Sequence, residues 1–161
     1  MHPRAQSLIQ ALALQPHPEG GYYREVFCSP HRVAALDTPG PRPALTAIYF
    51  LLTAADHSRW HRLRFDECWS HLEGGPLMLH SFRADTREHV EMRLGPLEAE
   101  AQPLHTVPAG LWQAAQPLGE YCLVSAIVGP GFEFADLTFL SDDPESERIL
   151  RADLEHLVHL I

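Results

Sequence analysis

The chain of 161 residues is 45% hydrophobic and carries a formal net charge of −9, with arginine as its only basic residue apart from histidine. This size predicts a single globular domain over residues 1–161, and no apolar run is long enough to cross a membrane. The acidic balance argues against a nucleic-acid partner, and the lack of lysine excludes Schiff-base catalysis.

Three cysteines lie far apart, at positions 28, 68 and 122, and none belongs to a CxxC pair. We therefore expect reduced thiols rather than a zinc or redox site. The apolar stretch near the N-terminus is interrupted at Gln10, and no small-residue cleavage site follows it. It is interpreted as a helix of the mature protein, which predicts a cytoplasmic location.

The first predicted element is a helix near residues 4–14, where apolar residues recur at helical spacing. Prolines and the Gly20–Gly21 pair end it, and YYREVF after them is typical of a strand. Residues 29–43 contain four prolines and predict a loop, after which LTAIYFLLT predicts a buried strand.

From there to about Leu140, short apolar segments alternate with turn residues, and the predicted strands are RFDECWSHL, PLMLHSF, EHVEMRL, PLHTVP, LWQAAQPL, EYCLVSAIV and FEFADLTFL. Such regular short strands predict an antiparallel sandwich or barrel. Asp143 as N-cap and Pro144 as first residue then predict an amphipathic C-terminal helix.

The segment SRWHRLRFDECWSHLEGG, residues 58–75, concentrates the residues with chemical potential. In a strand, alternate side chains share a face, so Glu67, Trp69 and His71 point the same way. A buried carboxylate needs water, a ligand or a metal beside it, so this face predicts a cavity with His61 close by. The remaining histidines considered are expected to be solvated, because they lie among proline, arginine or helix-surface residues: His2, His17, His31, His89, His105, His156 and His159.

Two motifs resemble those of the cupin superfamily: His61, Glu67 and Gly74 match the first motif, and PAGLWQ over residues 108–113 matches the second. HPEGGYYRE, HRLRFDECWSHLEG, VPAGLWQAA and GPGFEFADLTF together resemble the DUF985 (cupin_5) subfamily from about Leu8 to Leu140. The resemblance implies an all-β double-stranded β-helix, or jelly-roll barrel, with short flanking helices at both ends. It also implies a homodimer formed through the sheet edges.

The four metal ligands of cupins would fall on His61, Leu63, Glu67 and Gln113. Leucine cannot bind a metal, and the Gln113 amide is a weak donor. A divalent metal held by His61, Glu67 and Gln113 is thus predicted only as an incomplete set. His71 lies four residues beyond Glu67, which is roughly 13 Å along a straight strand and too far for joint ligation.

Three functions remain open at this point. The first is an isomerase, epimerase or lyase acting on a sugar-type or carboxylate-type metabolite, with His61 as base and Glu67 as acid or orienting group. The second is a non-catalytic protein that binds a small ligand, and the third is a metal-dependent dioxygenase. Six further residues are expected to bind the ligand, and for each of them the alternative is a structural role in packing or hydrogen bonding. They are Trp69, His71, Trp112, Gln113, Tyr22 and Arg24.

Overall fold

The structure is a computed structural model that describes residues 1–35, 38–97 and 100–161. Its helices are α1 (Pro3–Ala11) and α2 (Pro144–Asp153), with 3-10 turns at Phe134–Asp136, Leu140–Asp142 and Glu155–Leu160. Its strands are β1 (Gln15–Pro16), β2 (Tyr22–Cys28), β3 (Arg32–Val33), β4 (Arg42–Pro43), β5 (Thr46–Thr53), β6 (Ser58–Leu63), β7 (Asp66–Gly74), β8 (Leu77–Arg83), β9 (Glu88–Leu94), β10 (Leu104–Val107), β11 (Trp112–Pro117), β12 (Tyr121–Gly129) and β13 (Leu137–Phe139).

Two antiparallel sheets face each other, as the predicted jelly roll requires. The first has the order β1-β2-β5-β12-β7-β10, and the second has the order β13-β6-β11-β8-β9. Neighbours such as β5 and β12 are far apart in sequence, which is typical of a double-stranded β-helix. The fold class is therefore confirmed, with short helices at the two ends of the chain.

Three apolar clusters form because side chains alternate along each strand. The inner faces of both sheets meet in a core that includes Phe50, Trp69 and Leu79. The outer face of the second sheet packs Trp60 and Trp112 against the C-terminal segment, and the outer face of the first sheet packs against α1. Inward side chains of the strands thus pack in the inner core, and outward side chains pack in one of the two outer clusters.

The predicted strands agree with the structure except in two segments, and the two-residue strands β1, β3 and β4 lie where no strand was predicted. Ser58–Leu63, which contains His61, is a separate strand that the sequence patterns did not identify. FEFADLTFL was predicted as one strand, but Phe134–Asp136 is a 3-10 turn because Asp136 turns back to accept a hydrogen bond from the Glu133 backbone and to pair with Arg42 and Arg64. Only Leu137–Phe139 joins the second sheet.

The C-terminal helix begins with its predicted cap, whereas the N-terminal helix, predicted near residues 4–14, ends at Ala11. Asp143 accepts a hydrogen bond from the Ser146 N–H and Pro144 opens the helix, as expected. The helix ends at Asp153 and continues as a 3-10 segment, so the single C-terminal helix was predicted too long.

Within the predicted loop at 29–43, β3 and β4 form a small ladder, while residues 36–37 lie outside the described residues.

The EGG sequence after α1 places an acidic side chain against the second sheet. Gly20 has φ of 117°, and a Cβ there would lie 2.1 Å from the carbonyl oxygen of His57. Only glycine permits this conformation and this close approach. As a result Glu19, the residue before it, is held beside the start of β6, where Ser58 and His61 lie.

In the described part of the chain, no helix has the length and apolar character needed to span a membrane.

Candidate functional site

A cavity of about 240 Å³ lies between the two sheets. Its walls combine apolar side chains with a group of polar ones that face the same space. The apolar lining residues are Ile48, Leu63, Ala126, Val128, Phe132 and Phe134, and the polar ones are Gln15, His17, Glu19, Tyr23, Glu25, Thr46 and Glu67. Half-exposed Phe134 and exposed Glu25 place the mouth of the cavity between β2 and the segment before β13.

Glu67 is the most constrained acid of this cavity. Its Oε2 accepts a 2.6 Å hydrogen bond from Gln113 Nε2 and a 3.1 Å bond from Trp69 Nε1. Trp69 Nε1 also donates to Gln113 Oε1 at 3.2 Å, which fixes the orientation of the amide. Because both donors hold the same carboxyl oxygen, Oε1 is the oxygen of Glu67 that remains for a ligand.

His61 lies behind this group and does not line the cavity. It is 1% exposed, and its Nδ1 donates to the Arg59 carbonyl at 2.7 Å. Its Nε2 accepts from Gln113 Nε2 at 3.2 Å and lies 3.5 Å from Glu19 Oε1. Both ring nitrogens of the neutral imidazole are therefore used within the protein. Burial also lowers the pKa of His61.

Burial controls the protonation of the two carboxyl groups. Desolvation, aided by the nearby charge of Glu19, raises the pKa of Glu67 to about 7 despite the opposing effects of His61, Gln113 and Trp69. Desolvation raises the pKa of Glu19 as well, although Ser58 Oγ donates to its Oε2 at 3.0 Å. At neutral pH Glu67 can therefore hold and release a proton.

His17 and Glu19 were missed by the sequence analysis, which expected His17 to be solvated. The structure corrects this: the His17 side chain is 5% exposed and packs edge-on against Tyr23 with ring centroids 4.4 Å apart. The Glu19 N–H donates to His17 Nδ1 at 3.2 Å, so Nε2 carries the proton of the neutral ring. The signal that could have found these residues is the glycine pair after Glu19, which marks a close backbone approach.

Trp69 and His71 were expected to share the cavity face with Glu67. Trp69 is buried and contacts Phe50 edge-on, so it positions Glu67 instead of presenting its ring to a ligand. His71 keeps the register of Glu67 and Trp69 but lies farther along β7, and its Nε2 lies 3.2 Å from the Gly74 carbonyl oxygen. The structure does not bring His71 into the lining of the cavity.

Three other predicted ligand-binding residues lie away from the cavity. Trp112 is on the outer face of β11, under the Arg62 guanidinium, because Gln113 beside it takes the inward position. On β2, Tyr22 packs against the cluster under α1, and Arg24 Nη1 donates to the Leu12 carbonyl. The inward side chains of β2 are Tyr23 and Glu25, so the sequence analysis chose the wrong face of this strand.

The residues at the usual cupin metal positions do not fit a metal. Leu63 lines the cavity with hydrocarbon only, and Gln113 turns its amide nitrogen toward both His61 and Glu67. An amide N–H₂ group is a donor and binds no cation. Among the residues that the structure describes, these side chains also do not form a set of three His, Cys, Asp or Glu ligands within 4.8 Å of one another.

Comparison with protein families gives one match that covers most of the chain. The family described as "Cupin_5: Cupin superfamily (DUF985)" matches residues 6–140. No curated protein matches the chain.

Solved structures resemble the chain at two levels. A hypothetical protein from Leishmania major is 32% identical over 98% of this chain and 96% of that chain, with a TM-score of 0.83. A protein from Shewanella oneidensis is 31% identical over 97% of this chain and 95% of its own, with a TM-score of 0.81. Oxalate decarboxylase from Bacillus subtilis is 18% identical, covers 91% of this chain and 36% of its own, and has a TM-score of 0.59, which supports the shared fold alone.

Proposed function

The chain belongs to the Cupin_5 (DUF985) family of the cupin superfamily, and we propose that it binds a small metabolite in the barrel cavity and transfers a proton to and from it through Glu67. The chemistry would be that of an isomerase or epimerase. A lyase would begin with the same proton removal and would then break a second bond of the ligand. The single observation that supports this proposal is a buried carboxyl group that lines the cavity and is held at one oxygen by Gln113 and Trp69, with a pKa that burial raises to about 7.

A carboxyl group of this kind is suited to general acid–base catalysis. Catalysis of proton transfer is most effective when the pKa of the group lies near the working pH. Gln113 and Trp69 hold Oε2, so the proton would be exchanged at Oε1 on the cavity side. An isomerisation needs no other reactant, because Glu67 takes a proton from one atom of the ligand and returns it to another.

The roles of His61 and Glu67 are revised by this geometry. His61 was predicted as the base, but both of its nitrogens are occupied and its ring is shielded from the cavity. We assign it the positioning of Gln113, which in turn positions Glu67. His17 lines the cavity and has an N–H at Nε2 to offer a ligand oxygen.

The charge of the walls narrows the class of ligand. Glu19, Glu25 and Glu67 line the cavity, and none of its described lining residues is an arginine. A carboxylate or phosphate would have no cation to pair with and would be repelled by ionised Glu67. We therefore propose a neutral polyol or an amine, and the carboxylate-type substrate is the less favoured of the two expected classes. The cavity is smaller than the roughly 300–1,000 Å³ of drug-sized sites, so the ligand is small.

Ligand binding can be tested by thermal shift with matched sets of small sugars, amines and carboxylates. We expect neutral or cationic compounds to raise the melting temperature and carboxylates of the same size to leave it unchanged. A stabilising compound is then incubated with the protein in D₂O, and NMR records deuterium incorporation at carbon. Wild-type protein should exchange a carbon-bound proton, and Glu67→Gln should lose this exchange by at least about 100-fold while still binding.

Glu73→Gln is the matched control, because Glu73 is on the same strand but faces Arg4 and Tyr121 at the surface. This variant should exchange the proton at the wild-type rate. Binding without any exchange in the wild-type protein would contradict the catalytic proposal and support a non-catalytic binding protein. Stabilisation by carboxylates alone would contradict the proposed ligand class.

The homodimer implied by the family resemblance is also a proposal. Sedimentation equilibrium would support it with twice the chain mass of 18.1 kDa. A mass equal to that of one chain at all concentrations tested would contradict it.

A further inference from the structure

A second group of histidine and carboxylate side chains lies outside the cavity, at the edge of the second sheet. His80 is on β8, and His89 and Glu91 are on the edge strand β9. In the antiparallel register His80 is opposite Glu91, and Phe82 is opposite His89. Alternate residues share a face, so all three side chains project on the side that carries Phe82 and Trp60, away from the cavity.

The spacing of the three side chains fits metal coordination. His80 Nδ1 lies 3.3 Å from His89 Nε2 and 3.6 Å from Glu91 Oε1. One ligand atom from each of the three residues can be chosen so that all lie within 4.8 Å of one another. Ligands of tetrahedral zinc, with bond lengths of about 2.0–2.1 Å, lie about 3.4 Å apart. The distances from His80 Nδ1 to His89 Nε2 and to Glu91 Oε1 are therefore close to the ligand spacing that a zinc ion needs.

The burial of the group leaves one side open. His80 is 1% exposed, whereas His89 is half-buried and Glu91 is exposed. Within the described chain, His80 Nε2 has no hydrogen-bond partner. The ring is therefore oriented by packing near Trp60 and by the contacts of its Nδ1 with His89 and Glu91.

We propose that His80 Nδ1, His89 Nε2 and the Glu91 carboxylate bind a divalent transition metal, with Zn²⁺ as the best match. Two imidazoles and one carboxylate form a common set of protein ligands for zinc, with water at the remaining position. The bound ion would join the edge strand β9 to β8. This site is independent of the proposed function, since it lies on the outer face of the second sheet, whereas Glu67 lies on the first sheet and lines the cavity.

The proposal is tested by titrating the metal-free full-length protein with Zn²⁺ in a calorimeter, at a pH of about 7.5 where imidazole is unprotonated. We expect one strong site in the wild-type protein. His89→Gln and Glu91→Gln should weaken it by at least about tenfold each, a loss typical of altered metal sites. Both residues are partly exposed, so these variants should fold, whereas buried His80 is avoided.

His105→Gln is the matched control, because His105 is also a half-buried histidine on an edge strand, β10 of the other sheet. It should bind Zn²⁺ like the wild type, and so should Glu67→Gln. Visible absorption of the Co²⁺-substituted protein gives a second measurement, with imidazole-dependent bands that His89→Gln should change. Equal Zn²⁺ affinity in wild type and His89→Gln, or no strong site in the wild type, would overturn the proposal.

Discussion

A histidine–carboxylate group lies on each side of the second sheet, and the groups differ in how their polar atoms are satisfied; the inner group includes Glu67 of the first sheet. On the inner side, His61 and Glu67 are joined by the Gln113 amide, and the remaining atoms of His61 are also hydrogen-bonded. On the outer side, the nitrogens of His80 and His89 face each other directly beside Glu91.

This difference separates two kinds of chemistry built from the same residue types. An amide between an imidazole and a carboxyl group keeps both in place but fills the space that a cation would occupy. Two imidazole nitrogens that lie 3.3 Å apart can instead both present lone pairs to one metal ion when the ring protons are on the other nitrogens. The proposed proton transfer therefore belongs to the inner group, and the proposed metal binding belongs to the outer group.

The largest expected difference between the two groups is in stability. His61→Ala removes a fully buried ring and leaves the Arg59 carbonyl and one Gln113 N–H without partners. We expect a loss of roughly 3–5 kcal/mol in the free energy of unfolding. His89→Ala in metal-free protein should cost less than about 1 kcal/mol, because its ring is partly solvated. Urea unfolding of both variants measures this, and equal losses would contradict the packing described for His61.

The second expected effect is a pH dependence that belongs to the inner group. The Glu67 pKa is raised from 4.5 to about 7 in the folded protein, so the folded state binds this proton more tightly than the unfolded chain. Stability from this residue is therefore complete below pH 4.5 and is lost as the pH rises to 7, by about 3 kcal/mol. Glu67→Gln should flatten the stability profile in this range, whereas Glu73→Gln should keep the wild-type slope there, because its hydrogen bond from Arg4 lowers the pKa of Glu73 to about 2. Chemical denaturation at several pH values tests this, and an unchanged slope in Glu67→Gln would refute the assignment.

The smallest expected effect concerns the amide itself. Gln113→Met removes the N–H that favours the ionised form of Glu67 while roughly preserving the side-chain volume. The pKa of Glu67 should rise further, by about one unit. The pH profile of unfolding or of ligand exchange would report this change. A lower pKa in the variant would mean that Gln113 does not donate to Glu67.

The sequence was sufficient to predict the architecture and part of the inner group. Turn residues at regular intervals predicted the strands, and the motif positions of His61, Glu67 and Gln113 predicted residues that do meet across two sheets. Alternation on β7 correctly placed Glu67 and Trp69 on one face. These successes rest on local patterns and on a family motif with fixed spacing.

The remaining features depend on contacts between distant segments. Glu19 reaches His61 because the chain after α1 packs on β6, and no local pattern encodes this approach except the glycine pair. His71 pairs with Val124 in the same register as Glu67 and Trp69, and it stays out of the cavity because it lies farther along β7, which alternation alone does not reveal. His80, His89 and Glu91 share a face only once β8 and β9 pair in their actual register. Their positions in the sequence therefore gave no indication that the three side chains meet.

The protonation of Glu67 is the most direct test of this description. Carbon-13 NMR of the side-chain carboxyl groups, with Glu67→Gln to assign the resonance and Glu19→Gln to resolve its neighbour, gives the titration midpoint. The structure predicts a midpoint near pH 7 for Glu67. A midpoint near 4.5, the ordinary value for glutamate, would show that this carboxyl group is solvated and that the cavity holds no poised acid.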